Sequence, residues 1–534
     1  MTSAHYIAAR MELVMQGLVA LALIVLYIGQ YGTDISAARR LDTNAPWYRL
    51  PILRALWVFM VLLVVPPLAV GLGGFGAVLP VDGWLLGFSV LIAGLISYTW
   101  YRYLSWLDVY EPEKRWAMLL VVVLSSISTL FVPDLYRILE SATGMVLDGE
   151  FWNDLFYSFT IIGGLEELAK LIPYLIVLRF TQRINEPYDH LLYLSLSALG
   201  FAFVENIMYL YSSGLTAVAG RALYASVAHM CFSSIIGYGV ALSLYRGTTN
   251  TFLVGVLMYL LASLAHAFYD VWLLTPGRPT VLTTIFFLGT IQLWVIMKNN
   301  LINLSPFAEP HRKLRSTMFR YRIINAMLSI FMLAFVAIFL MAGSERAWGM
   351  LAGKALTMIV MLLILAFSFG NYHIIPGYVA RLRVSRNPAR WFMPIATLGA
   401  EFSGMRVRID IPERGWKKLD LPELRRALPV MGLLERRVVY AGDADWYLFR
   451  PERRLDLGHG FAELFLMKLD AEVDTIPSDG YVRMALARFD GTPRIVDGEV
   501  QGRVHLFGPR VFAQLIPNMH GGERLAGLGG HGLN

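Results

Sequence analysis

Three ionisable residues, Glu166, Glu167 and Lys170, stand together in "IIGGLEELAKLIPYL" (residues 161–175), which is otherwise apolar apart from its glycines and one tyrosine. Similar mixtures follow along the chain: Phe201 and Glu205 in "FAFVE", His229 in "SVAHMCF", and His266 with Asp270 in "HAFYD". Carboxylates beside neutral imidazoles, in a site walled from bulk water, can bind a water molecule and take its proton. They can do so directly as general bases, or through a divalent metal such as zinc held by Glu and His. Glu166, Glu205, His229 and His266 are the metal-binding types in this set, and both routes stay open. Hydrolysis is the reaction class that follows, with lipids or peptide segments as substrates able to arrive laterally.

Helical spacing sorts these residues further. Glu166 and Lys170 are four apart and Glu167 and Lys170 three apart, so Lys170 can neutralise either carboxylate. The two glutamates point ~100° apart around a helix, which assigns one to chemistry and the other to Lys170. Phe201 and Glu205 share a face, as do His266 and Asp270, so Asp270 can orient the His266 imidazole or join it on one metal. Cys231 stands two residues from His229 and does not face it, which removes a Cys/His nucleophile.

The elements that must position these side chains are membrane helices. The 534 residues are 56% hydrophobic and only 16% charged, with a mean hydropathy of +0.54. A soluble domain carries ~25% charged residues. Apolar segments approaching the ~20 residues that cross a bilayer are read at 13–30, 54–72, 83–101, 116–132, 155–178, 190–213, 221–245, 252–273, 279–297, 321–342 and 350–372. The expected fold is therefore an all-α polytopic transmembrane bundle of about eleven helices. No secretory cleavage pattern follows 13–30, so that segment is expected to be a retained first helix.

Loops rich in Lys and Arg alternate with loops poor in them. Loops 31–53, 102–115 and 298–320 are basic and Arg381, Arg383, Arg386 and Arg390 follow the last span, whereas 73–82 and 133–154 are poor in cations. Basic loops stay in the cytoplasm, which predicts a multi-pass protein with an outside N-terminus and an inside C-terminus. In that frame, counting ~1.5 Å per residue, Glu205 and His229 each lie ~12 Å from the outer helix end, His266 ~10 Å, Asp270 ~5 Å and Glu166 ~16 Å. Helices of alternating direction thus bring these groups to one layer. Charges in hydrocarbon are costly and mark functional sites or partners, and this convergence favours a common site over scattered buried ion pairs.

After Pro376 the pattern changes. "MRVRIDI", "DWYLFRPE" and "YVRMALARF" alternate with period two between turn residues, which predicts a small β-rich cytoplasmic domain. The expected organisation is N-terminal helices over 1–82, a core over 83–300, further helices over 301–375, the β-rich domain over 376–520 and a Gly-rich disordered tail over 521–534.

In order, the residues read EExxK (Glu166, Glu167, Lys170), FxxxE (Phe201, Glu205), a lone His229 and HxxxD (His266, Asp270). This set resembles the PrsW family of intramembrane proteases, related to the prenyl-protein processing proteases. "LDVYEPEKRWAMLL" at 107–120, with Asp108 and Glu111, resembles a stretch that the family carries before an early helix. The resemblance covers about residues 85–300. It implies cleavage of membrane-anchored proteins such as anti-sigma factors, with Glu166 as water-activating base and His229 and His266 completing the site. Its members are often described as metalloproteases. Glu205 stands where the prenyl proteases have histidine, so prenyl-peptide specificity does not transfer.

HExxH, GxGD and GxSG are absent, which excludes those routes to hydrolysis. Two other classes remain to be weighed. A proton- or ion-coupled transporter would use the same buried Glu, His and Asp as a relay, but the paired broken helices of repeated halves are not seen. A sensor would place the function in 376–534 and leave the helices inactive. The expected partners are a membrane-anchored protein substrate, the lipid bilayer and a cytoplasmic partner of the C-terminal domain, with no nucleic acid.

Overall fold

The computed structural model describes most of residues 21–35 and residues 51–73, 78–108, 110–246, 250–277, 279–307 and 316–370. In the C-terminal region it describes 406–411, 422–441, 443–457, 461–469, 481–496, 499–507 and 511–517, with Val379 and Glu413. The chain divides into two compact units, Met1–Ile302 with Arg315–Tyr372, and Asn303–Leu314 with His373–Asn534.

Among the described residues of the first unit, every regular element is a helix. Helices α1 (Pro51–Gly73) and α2 (Val81–Leu107) precede α3 (Arg115–Thr129) and α4 (Val132–Thr143), a pair bent by 41°. Helix α5 (Phe151–Tyr157) passes through a π-helical turn, Ser158–Gly163, into α6 (Gly164–Thr181). After α7 (Pro187–Ser212), a second π-helical turn, Arg221–Ala225, leads into α8 (Ser226–Arg246). Helices α9 (Thr251–Leu274), α10 (Val281–Asn303) and α11 (Ser316–Phe369) complete the unit, with α11 interrupted at Gly343.

Seven of the described helices are long and apolar enough to cross a bilayer, eight if the bent α3–α4 pair counts as one span. The chain is an integral multi-pass membrane protein. The expected count of eleven is not reached: the first expected span lies largely outside the described residues. Helix α6 departs from a plain apolar span because it carries Glu166, Glu167, Lys170 and Arg179. The outer faces of α1 and α9 present Trp57, Val58, Val61, Leu253, Leu257 and Leu260, side chains that hydrocarbon accommodates.

Helix α7 is the central post. Every residue from Pro187 to Ala202 is buried, as a helix apolar on all sides requires. Pro187 opens it at the first turn, and Glu186 and Asp189 cap it reciprocally, each side chain accepting from the other's backbone N–H. It packs against α2, α3 and α8. A Cβ at Gly200 would stand 2.3 Å from the Val122 carbonyl, so α3 and α7 meet backbone to backbone. Ser126 strengthens that contact by donating to the Gly200 carbonyl at 3.0 Å.

The second unit is β-rich, as the alternating runs predict. Its main sheet runs β1 (Arg406–Asp410), β6 (Val511–Pro517), β5 (Tyr481–Phe489), β4 (Phe465–Leu469), β3 (Asp443–Pro451) and β2 (Val430–Tyr440), and β2 pairs back onto β1. All six pairings are antiparallel, so these strands close into a barrel that leaves none of the six as an open edge. Val407, Leu434, Phe449, Phe465, Met467 and Met484 fill part of its core.

Candidate functional site

Both π-helical turns immediately precede site residues: Gly163 lies three positions before Glu166, and Ala225 four before His229. A π turn shifts the helical register by a residue and recurs at functional sites. At Gly163 a Cβ would stand 2.6 Å from the Ser263 carbonyl and 3.4 Å from the His266 Cβ. The missing side chain therefore lets α9 close on α6 and brings His266 beside the glutamates. Hydroxyls fix α6 on its other sides: Ser128 of α3 donates to the Ala169 carbonyl at 2.8 Å, and Ser197 of α7 to the Lys170 carbonyl at 2.6 Å.

The structure brings all eight expected residues into one connected group. Lys170 sits at its floor, fully buried, with Nζ 2.7 Å from Glu167 Oε1, 3.4 Å from Glu166 Oε2 and 3.0 Å from His229 Nδ1. The Phe201 ring lies under the same ammonium, 4.3 Å from Nζ to the ring centroid. Glu167 is also fully buried and is the most occupied of the acids: besides Lys170 it accepts from Ser233 at 2.6 Å and contacts His266 Nδ1 at 2.9 Å. Glu166 keeps a small exposed fraction of its side chain, 9% against 0% for Glu167. Glu167 is thus enclosed by Lys170, Ser233 and His266, whereas Glu166 keeps that exposed fraction.

Hydrogen-bond partners set the His229 tautomer. An ammonium only donates, so His229 Nδ1 accepts from Lys170, and the proton on Nε2 points to Glu205 Oε2 at 2.8 Å. His266 has carboxylates at both nitrogens: Nδ1 lies 2.9 Å from Glu167 Oε1, and Nε2 lies 3.6 Å from Glu166 Oε2 and 3.4 Å from Asp270 Oδ2. The closest orienting bond on His266 thus comes from Glu167, with Asp270 on the opposite nitrogen. Each ring is anchored by a carboxylate on one nitrogen, the usual support for a metal-binding histidine; His266 turns Nε2 toward Glu166, while His229 Nδ1 is held by Lys170, a bond that an ion would have to replace. Glu166, His229 and His266 offer one ligand atom each, all within 4.8 Å of one another. A carboxylate and two imidazoles match the donor set that divalent zinc takes in hydrolytic sites. These residues fit such an ion.

Several participants escaped the sequence reading. Tyr136 donates to Glu166 Oε1 at 2.7 Å from α4, a helix that lies in the stretch read as an acidic loop. Arg221, at the very start of an expected span, donates to Glu205 Oε2 at 2.5 Å and Asn206 Oδ1 at 2.6 Å. Ser233 was legible in principle, since it stands one helical turn after His229 and so shares its face. His190 is buried against the Tyr174 hydroxyl at 2.6 Å, near the other end of α7 from Glu205.

Comparison with known proteins points the same way. Residues 113–297 match the profile described as PrsW family intramembrane metalloprotease. The chain is 26% identical over 204 residues to Protease PrsW of Shouchella clausii, spanning 38% of this chain and 89% of that protein. It is 28% identical over 190 residues to Protease PrsW of Geobacillus kaustophilus, spanning 35% of this chain and 80% of that protein. With Protease PrsW of Oceanobacillus iheyensis it shares 31% identity over 144 residues, 26% of this chain and 63% of that protein. No solved structure matches the chain. These relatives do not favour a transporter.

Proposed function

We propose that this chain, whose residues 113–297 match the PrsW family of intramembrane proteases, cleaves membrane-anchored protein substrates with Glu166 as the group that activates water. The observation that carries this reading is the placement of Glu166, His229 and His266 within 4.8 Å of one another on three different helices. A water between Glu166 Oε2 and His266 Nε2 loses its proton to the carboxylate as it attacks the peptide carbonyl. Tyr136 holds the other Glu166 oxygen and so fixes which lone pairs face that water. Lys170 and the paired Glu167 keep the floor of the site close to electroneutral, and Arg221 does the same for Glu205. When bound, a divalent metal held by Glu166, His229 and His266 would supply Lewis acidity and a more acidic water. Glu205 and Asp270, with 17% and 19% of their side chains exposed, line the way in.

The distribution of Lys and Arg supports a cytoplasmic C-terminal barrel, and the bacterial relatives support a bacterial inner membrane. The substrate is then a membrane-anchored regulator of the anti-sigma-factor type, its anchor passing between α6, α7, α8 and α9. The test is Glu166→Gln in purified protein reconstituted with a tagged single-span substrate. Loss of cleavage by at least ~100-fold, with unchanged melting and retained substrate pull-down, supports the assignment. Cleavage at the wild-type rate overturns it.

A further inference from the structure

A second group of acids lies at the opposite end of the helix that carries Glu205. Asp108 ends α2 and Glu186 and Asp189 cap α7; all three are buried and offer ligand oxygens within 4.8 Å of one another. Asp189 and Glu205 are sixteen residues apart on one helix, ~24 Å along its axis, so this group is separate from the protease site. Backbone donors hold the carboxylates in place. Asp108 Oδ2 accepts from the Glu113 N–H at 2.5 Å, and Asp189 Oδ2 from the N–H groups of Asn185 at 3.0 Å and Glu186 at 2.9 Å.

Each aspartate keeps a second oxygen that is buried and has no donor: Asp108 Oδ1 and Asp189 Oδ1, with Glu111 Oε2 nearby in the same state. Asp108 is 4% exposed and Asp189 0%. Among the described residues neither aspartate forms an ion pair with Lys, Arg or His. Burial pushes the Asp108 carboxyl up to about 8, and Glu186, Glu113 and Glu111 push it the same way, against the Glu113 N–H that lowers it. Buried acids of this kind are ordinarily hydrogen-bonded or paired. Among the described residues Asp108 Oδ1 and Asp189 Oδ1 depart from that rule.

We propose that Asp108, Glu186 and Asp189 form a divalent-cation site distinct from the Glu166, His229 and His266 group. With oxygen donors alone it takes a hard ion, Ca²⁺ or Mg²⁺, and not the softer metal that imidazoles favour. The bound ion clamps the end of α2 to the start of α7, the post from which Phe201 and Glu205 project.

The test uses the full-length protein in detergent, stripped with EDTA and titrated with Ca²⁺ or Mg²⁺ while its melting temperature is followed. Wild type and Glu166→Gln are expected to rise together by several degrees, as binding to the folded state requires. Asp108→Asn and Asp189→Asn are expected to lose the rise. Asp108→Asn removes one charge from a crowded group, so in EDTA it should melt no lower than wild type. Should it fail to accumulate, equilibrium dialysis with Ca²⁺ on wild type and Glu186→Gln decides in its place: one ion bound by wild type and loss in the variant support the site. No rise and no bound ion in wild type, a rise that survives both aspartate variants, or a rise abolished by Glu166→Gln overturns it.

Discussion

Removing the Lys170 ammonium should damage folding more than any other single change at the site, and the damage should be repairable. Lys170 Nζ lies 2.7 Å from Glu167 and 3.4 Å from Glu166, with no exposed surface. At an effective dielectric near 20 each contact is worth ~5–6 kcal/mol of gross attraction before desolvation. Net values are smaller: breaking a buried pair by deleting one partner costs ~3–5 kcal/mol, because the other charge stays buried alone. Lys170→Met is therefore expected to destabilise the helical unit by ~3–5 kcal/mol. Lys170→Met combined with Glu167→Gln removes both charges and should recover most of that loss, since a neutral buried pair carries little desolvation penalty. Chemical unfolding of the four proteins of this cycle in mixed detergent gives the coupling energy directly. The double variant should also retain partial substrate cleavage, whereas Lys170→Met with Glu166→Gln should cleave nothing. A neutral single variant, or a double variant no more stable than the single, refutes the reasoning. Cleavage by the Glu166 pair and none by the Glu167 pair would reverse the roles of the two glutamates.

Tyr136→Phe removes the hydroxyl that holds Glu166 Oε1. A hydrogen bond to a charged group is worth ~1.5–3 kcal/mol, so kcat should fall ~10- to 100-fold with little change in melting, measured on the reconstituted substrate. Gly163→Ala forces a methyl against the Ser263 carbonyl. It should lower both stability and cleavage by pushing α9 and His266 outward, while Gly87→Ala, where a Cβ meets nothing, should change neither. Incubation with a zinc-selective chelator should abolish cleavage, and added zinc should restore it, read against Glu166→Gln as the inactive baseline. Activity that is indifferent to every chelator would assign the chemistry to the glutamate alone.

The sequence carried a good deal of this without coordinates. Helix periodicity places Glu166, Lys170, His266 and Asp270 on shared faces because three- and four-residue spacings are local geometry. Alternation with period two likewise announces strands after residue 400. Tyr136 escaped because its helix is short and polar enough to read as a loop, and Arg221 because a cation at the start of a span reads as an interfacial anchor. The cap of α7 was visible only as Pro187 with nearby acids; that Asp108 meets Glu186 and Asp189 is a contact across about eighty residues of chain.

By itself the sequence determined that the protein lives in a bilayer and which side chains are too costly to be there without a purpose. The reason is energetic: burial in hydrocarbon penalises any charge, wherever the helix later packs. Only the tertiary structure decided the partnerships. Lys170 sits closest to Glu167 while Tyr136 holds Glu166, Arg221 answers Glu205, and the β-rich unit curls until β2 meets β1. Those choices depend on how helices and strands distant in sequence approach each other, set by features such as the missing side chains at Gly163 and Gly200. No local spacing encodes that approach.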